Sequence, residues 1–174
     1  MSWPLNETTT LRAVHSAIVA AARAWFGDAV QQYGAYEPWG AGGENPDADA
    51  EIKTPALLLE LESIEPDDTD AHGPGLIAVR CAWAFHAILS QRTDDLQIAL
   101  PEFAAAAIAL IRRAESLPYG PPLNGNRWGL GEAVGVPEAV SARPGPFTPG
   151  LNGRDSWLIT WEQVVYLPET LPTD

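Results

Sequence analysis

Between residues 9 and 26 the apolar side chains recur every three to four positions. Leu11, Val14, Ile18, Ala21 or Ala22 and Trp25 form one stripe, with Arg12, His15, Ser16 and Arg23 between them. The spacing predicts an amphipathic helix over 9–26, capped by the threonines at 8 to 10 and ended by Gly27. The following QQYGAYEPWGAGGENPDADAE alternates aromatics with turn formers and then turns acidic, which predicts an extended segment and a surface loop.

After Pro55 the period changes to two. In ALLLELESIEP, Leu57, Leu59 and Leu61 share one face, and Leu58, Glu60, Glu62 and Ile64 share the other, predicting a strand over 56–64. Glu65 to Gly75 is rich in acids, prolines and glycines and predicts a solvated loop. In GLIAVRCAWAFHAIL, Ile77, Val79, Cys81, Trp83 and Phe85 alternate with Arg80 and His86, predicting a second strand over 76–88. A helix start at Thr93–Asp95, or at Pro101, precedes the apolar stripe Phe103, Ala107, Leu110, Ile111 and Ala114, and the predicted helix ends near 115.

Residues 118–153 are dense in Gly and Pro, with one short strand expected at 138–142. The closing SWLITWEQVVYL places Trp157, Ile159, Trp161, Gln163, Val165 and Leu167 on one face, the pattern of a long strand over 156–167. The element order predicts an α+β fold in one domain of 174 residues. It consists of a small, mainly antiparallel (mixed) sheet with both helices packed on one face and long Gly/Pro-rich loops. Residues 118–153 are expected to form a loop arm. Trp83, Trp157 and Trp161 are expected in the core.

Composition narrows the function classes. The net charge of -13 gives the electrostatic term that dominates nucleic-acid and anionic-membrane binding the wrong sign. Neither sequence-specific nucleic-acid binding nor membrane association is expected, and no apolar run reaches 18 residues. A single cysteine, Cys81, and an N-terminal segment without a basic, apolar leader pattern point to an intracellular setting.

The charge is concentrated. Ten acids between Glu44 and Asp70, against Lys53 alone, carry nine of the thirteen excess negative charges. Asp47, Asp49 and Glu51 imitate the opening of a calcium loop, but Ile52 stands where that loop needs glycine and Leu58 where it needs a bidentate glutamate. Asp67, Asp68 and Asp70, with His72, could hold a divalent cation in principle. Three adjacent acids without a second imidazole or thiolate read more simply as an acidic surface, so no metal or cofactor is expected. Cys81 lies on an apolar strand face, no serine sits in G-x-S-x-G, and GPPLNGNRWGLG lacks the features of a phosphate-binding loop. No catalytic residue is assigned.

Seven tryptophans are many for this length. Trp39 and Trp128 fall in irregular segments beside Pro38 and Arg127. Aromatics and arginines on loops are typical of protein interfaces, although each such tryptophan can equally tuck onto its own domain; Trp39, Arg127, Trp128, Phe147 and Arg154 are the candidate subunit-interface residues.

An amphipathic first helix, TPALLLELESIEP, GLIAVRCAWAFHAIL, LPEFAAAAIALIRRA and the closing SWLITWEQVVYLPE, in that order over residues 9–168, resemble the tail terminator proteins of tailed bacteriophages and prophages. The resemblance implies a structural virion protein without enzymatic activity. Such a protein acts as a hexameric ring on the last ring of the tail tube, where it ends tube polymerisation and presents a surface for head attachment. Its implied partners are other copies of itself, the tail tube protein and a head-completion or neck protein. It would assemble in the host cytoplasm and reside in the tail or neck of the virion. Another neck or tail-completion protein, or the cap of an injection apparatus, fits the same features, and a metal-dependent enzyme or small-ligand binder is the alternative of a different class.

Overall fold

The computed structural model describes residues 8–36, 52–68, 75–114, 125–145 and 153–170. The fold is α+β, with a mixed five-stranded sheet and two helices. Helix α1 spans Leu11–Phe26, and α2 spans Leu96–Ile111. The strands are β1 (Gln32–Ala35), β2 (Ala56–Pro66), β3 (Leu76–Ser90), β4 (Glu138–Pro144) and β5 (Arg154–Pro168), in the spatial order β1-β2-β3-β5-β4. β1 runs parallel to β2, and all other neighbours are antiparallel.

Local chemistry accounts for the helix ends. Thr10 caps α1 by accepting a hydrogen bond from the Ala13 amide at 3.1 Å, and Gly27 closes it at φ 54°. α2 has one charged residue, Glu102, and starts from Asp95 in a left-handed conformation without a side-chain cap. Pro101 lies inside it, removing one helix amide without ending the helix. Both helices pack on the same face of the sheet. Val14, Ile18 and Ala22 of α1 and Ala104, Ala107, Leu110 and Ile111 of α2 meet Leu57, Leu59, Cys81, Trp83, Phe85, Ile159, Trp161 and Val165 in one continuous core.

The predicted strands and their faces are present with three differences. A fifth strand joins the sheet beside β2, because the extended segment at Gln32–Ala35 pairs in parallel with Ala56–Leu59. The register of β2 against β3 shifts between Leu61 and Ser63. One extra residue at that bulge reverses the faces beyond it, so Ile64 pairs with Cys81 and lies on the helix side, not with Leu58 and Glu60. Trp83 and Trp161 are fully buried as expected, whereas Trp157 near the start of β5 is only half-buried.

The second face of the sheet carries a smaller apolar cluster of Ala56, Leu58 and Ile88, flanked by Tyr36 and Ile52. Beside it, His86 Nε2 and Glu60 Oε2 are 2.7 Å apart across β2 and β3, and the Tyr36 ring stacks on the imidazole at 3.6 Å.

Candidate subunit interface

The residues expected on a loop arm are largely committed to the subunit's own core. Asn126 closes the C-terminal end of α2, its amide donating to the Ile111 carbonyl at 2.9 Å and its Nδ2 to the Leu110 carbonyl at 3.2 Å. The Asn126 Oδ1 accepts from the Trp128 amide at 2.9 Å, and Trp128 takes a positive φ of 62°. This turn directs the indole inward, where it packs 6.0 Å from the Trp161 ring, and Trp128 is 6% exposed. Trp128 is therefore a core residue, contrary to its expected place at a subunit surface.

Gln163 organises the junction. Its side chain is fully buried on the apolar face of β5. Oε1 accepts from Trp128 Nε1 at 2.8 Å and Trp161 Nε1 at 3.2 Å, while Nε2 donates to the carbonyls of Asn126 at 2.9 Å and Gly135 at 2.7 Å. Both lone pairs and both protons of the amide are used. Val134 then bridges to Val165, Gly135 donates to the Val164 carbonyl at 2.8 Å, and β4 follows along β5. Among the described residues, 125–145 is thus a packed layer and not a free arm.

The other expected interface residues divide similarly. Arg127 is half-buried, with Nη1 donating to the Gly131 carbonyl at 3.5 Å, and Arg154 Nη2 donates to the Ile52 carbonyl at 2.9 Å. Both tie loops of their own subunit together. Trp39 and Phe147 lie outside the described residues, as do Asp70, His72 and the calcium-like Asp47, Asp49 and Glu51.

The acidic surface also needs correcting. Asp68 is exposed, but Asp67 is 4% exposed, because its amide donates to the Ala78 carbonyl and its Oδ2 meets Arg80 Nη2 at 3.0 Å. Arg80 also meets Glu138 at 2.7 Å and Glu162 at 3.5 Å. The hydrogen bond that Arg80 donates to Glu138, offset by partial burial and helped by the charges of the three acids, holds the guanidinium proton more tightly than usual. One cation therefore joins the ends of β2 and β4 to β3 and β5. Among the described residues no group of three or more His, Cys, Asp or Glu is arranged to hold a metal ion.

Burial pushes the His86 imidazole pKa down, outweighing the upward pull of its hydrogen bond and charge contact with Glu60. A ring 3% exposed and stacked under Tyr36 is placed to join β2 to β3 rather than to meet a substrate. Burial raises the Cys81 thiol to about 12, so it stays protonated at neutral pH.

Four large apolar side chains remain exposed among the described residues. Trp25, Ile64, Ile77 and Ile98 are 42%, 46%, 42% and 61% exposed. They fall into two groups on different elements. Trp25 and Ile98 belong to the helix layer, and Trp25 forms one wall of a shallow groove between the C-terminal parts of α1 and α2. Ile64 and Ile77 belong to β2 and β3, on the helix side of the sheet. Beyond Leu59, which accepts from the Tyr36 amide, the outer edge of β2 has no partner strand among the described residues. That open edge carries Glu62, Glu65 and, just past it, Asp68, all exposed. Residue pattern alone missed both groups: it placed Trp25 in the apolar stripe of α1, and the bulge that moves Ile64 to the helix side leaves no mark in the alternation. The chain matches no protein-family model and no curated protein sequence.

Proposed function

We propose that this chain is a structural subunit of the tail terminator kind, which assembles with other copies into a hexameric ring at the end of a tail tube. The ring ends tube polymerisation and offers its outer surface to a head-completion or neck protein. The α+β sheet with two helices on one face has the element order on which the resemblance to tail terminators rests.

The observation that carries the reading is the pair of separate apolar surfaces, one at Trp25 on the helix layer and one at Ile64 and Ile77 on the sheet. A closed ring of identical subunits needs a heterologous contact, in which one surface of each copy meets a different surface of the next. Large exposed apolar side chains accompanied by charged neighbours are what such contacts bury. The net charge of -13 suits a channel that passes DNA without holding its phosphates.

Sedimentation velocity over a range of concentrations tests this reading. A single oligomer of several copies, growing at the expense of monomer without larger aggregates, is the expected result. Open-ended polymers or an isologous dimer as the end point contradict it.

A further inference from the structure

We propose that the ring contact is made by the outer half of β2 of one copy lying in the α1–α2 groove of the next, with Ile64 as its apolar anchor. The inference rests on the ring reading above and names the two surfaces that meet.

On its helix sides the groove is lined by Ala21, Ala24, Trp25, Leu110, Arg113 and Ala114, and the turn at Asn126–Gly129 closes it. Three alanines leave space for a branched side chain, and the exposed Trp25 and buried Leu110 supply apolar walls. Arg113 lies over the Trp25 ring at 5.3 Å from its centroid, and Arg112 beside it is exposed as well. Arg113 therefore puts a cation on the groove, with Arg112 next to it in the chain, in a protein with only ten Lys and Arg against 23 acids.

The outer half of β2 has the complementary composition. Ile64 projects to the helix side, where it is 46% exposed; Glu62 lies at the bulge two residues before it, and Glu65, paired with Arg80, points to the opposite face of the same open edge. An isoleucine on a strand edge that also carries carboxylates matches a groove lined by Trp25 and alanines with the Arg113 guanidinium upon it, in apolar character and in charge.

Electrostatics also excludes the symmetric alternatives. Two β2 edges side by side would set Glu62 and Glu65 against the same acids, and like charges across a strand pair are destabilising. Two grooves face to face would set Arg112 and Arg113 against each other. Only the mixed contact neutralises both, and a mixed contact is head-to-tail, the type that closes a ring.

The test uses two charge-reversed variants, E62R/E65R and R112E/R113E, at residues that are all exposed. Each is compared with the unaltered chain by native mass spectrometry, alone and with assembled tail tubes, and circular dichroism verifies the fold. Each variant alone is expected to remain a folded monomer. An equimolar mixture is expected to recover the ring, because every contact in an alternating ring again pairs acids with arginines. A third variant, Ile64→Ser, keeps all charges and is expected to weaken assembly at least tenfold. Variants that still form rings as the unaltered chain does overturn this contact and leave the ring reading standing. Loss of assembly without recovery in the mixture also overturns it. An unaltered chain that stays monomeric with and without tubes overturns both.

Discussion

Replacing Gln163 by Leu removes four hydrogen bonds at once while keeping the side-chain volume nearly constant. Two indole N–H groups, of Trp128 and Trp161, and two carbonyls, of Asn126 and Gly135, lose their partner at a site with no access to water. At a net value of about 1 kcal/mol per hydrogen bond the loss is about 4 kcal/mol. Leaving the four groups unpaired in the core raises the upper bound, since each orphaned group costs about 1–3 kcal/mol. A domain of this kind has about 5–15 kcal/mol in total, so the variant is expected to stand near the edge of unfolding. Urea titration followed by tryptophan fluorescence is the assay. With a slope of about 2 kcal/mol per molar urea, the midpoint falls by about 2 M. Trp128→Phe, which keeps an aromatic ring and breaks one of the four bonds, is expected to lose less than half as much. A Gln163→Leu loss below about 1 kcal/mol would refute the claim that this amide fastens residues 125–135 to the sheet.

Three further outcomes follow from buried groups. Cys81, with its thiol raised to about 12 by burial, is expected to react with a thiol reagent only as fast as the whole domain unfolds, and rapid labelling of the native protein at pH 8 would place it wrongly. His86 has a folded pKa below the usual 6.5, so the unfolded chain takes up its proton first as pH falls. Stability is then lost between about pH 6.5 and the lower folded value, and His86→Gln should flatten the urea midpoint over that interval; an unchanged slope contradicts the assignment. Asp67→Asn weakens a buried carboxylate's contact with Arg80 and is expected to cost about 1–3 kcal/mol, while the exposed Asp68→Asn stays within about 0.5 kcal/mol. Equal midpoints for the two variants would show that Asp67 is not held in the core.

The long elements were legible because their patterns are local. Alternation in 56–64, 76–88 and 156–167 follows the pleat, and the stripe Val14, Ile18 and Ala22 follows the helix turn. β1 was not legible as a strand. Its four residues, Gln32–Ala35, contain a glycine and no apolar alternation, and their strand character comes from a partner more than twenty positions away. Trp128 sits between Arg127 and Gly129, which reads as an exposed turn, and its burial depends on Gln163, 35 positions later. A signal was present in Gln163 itself, a polar amide on an apolar strand face between Trp161 and Val165, where it must find buried partners. Asp67 was hidden in a run of acids, and only the pairing of the β2 end with Arg80 on β3 distinguishes it from Asp68. The apolar groups at Trp25 and Ile64 became visible only in three dimensions, the first through the crossing of the helices and the second through the bulge.

Electron microscopy of this protein mixed with tail tubes polymerised from purified tube protein tests the central claim most directly. A ring of density at one end of each tube is expected, with tubes that stop lengthening once the ring is present. Tubes that keep growing with bare ends, beside a protein that remains a free monomer, would contradict it.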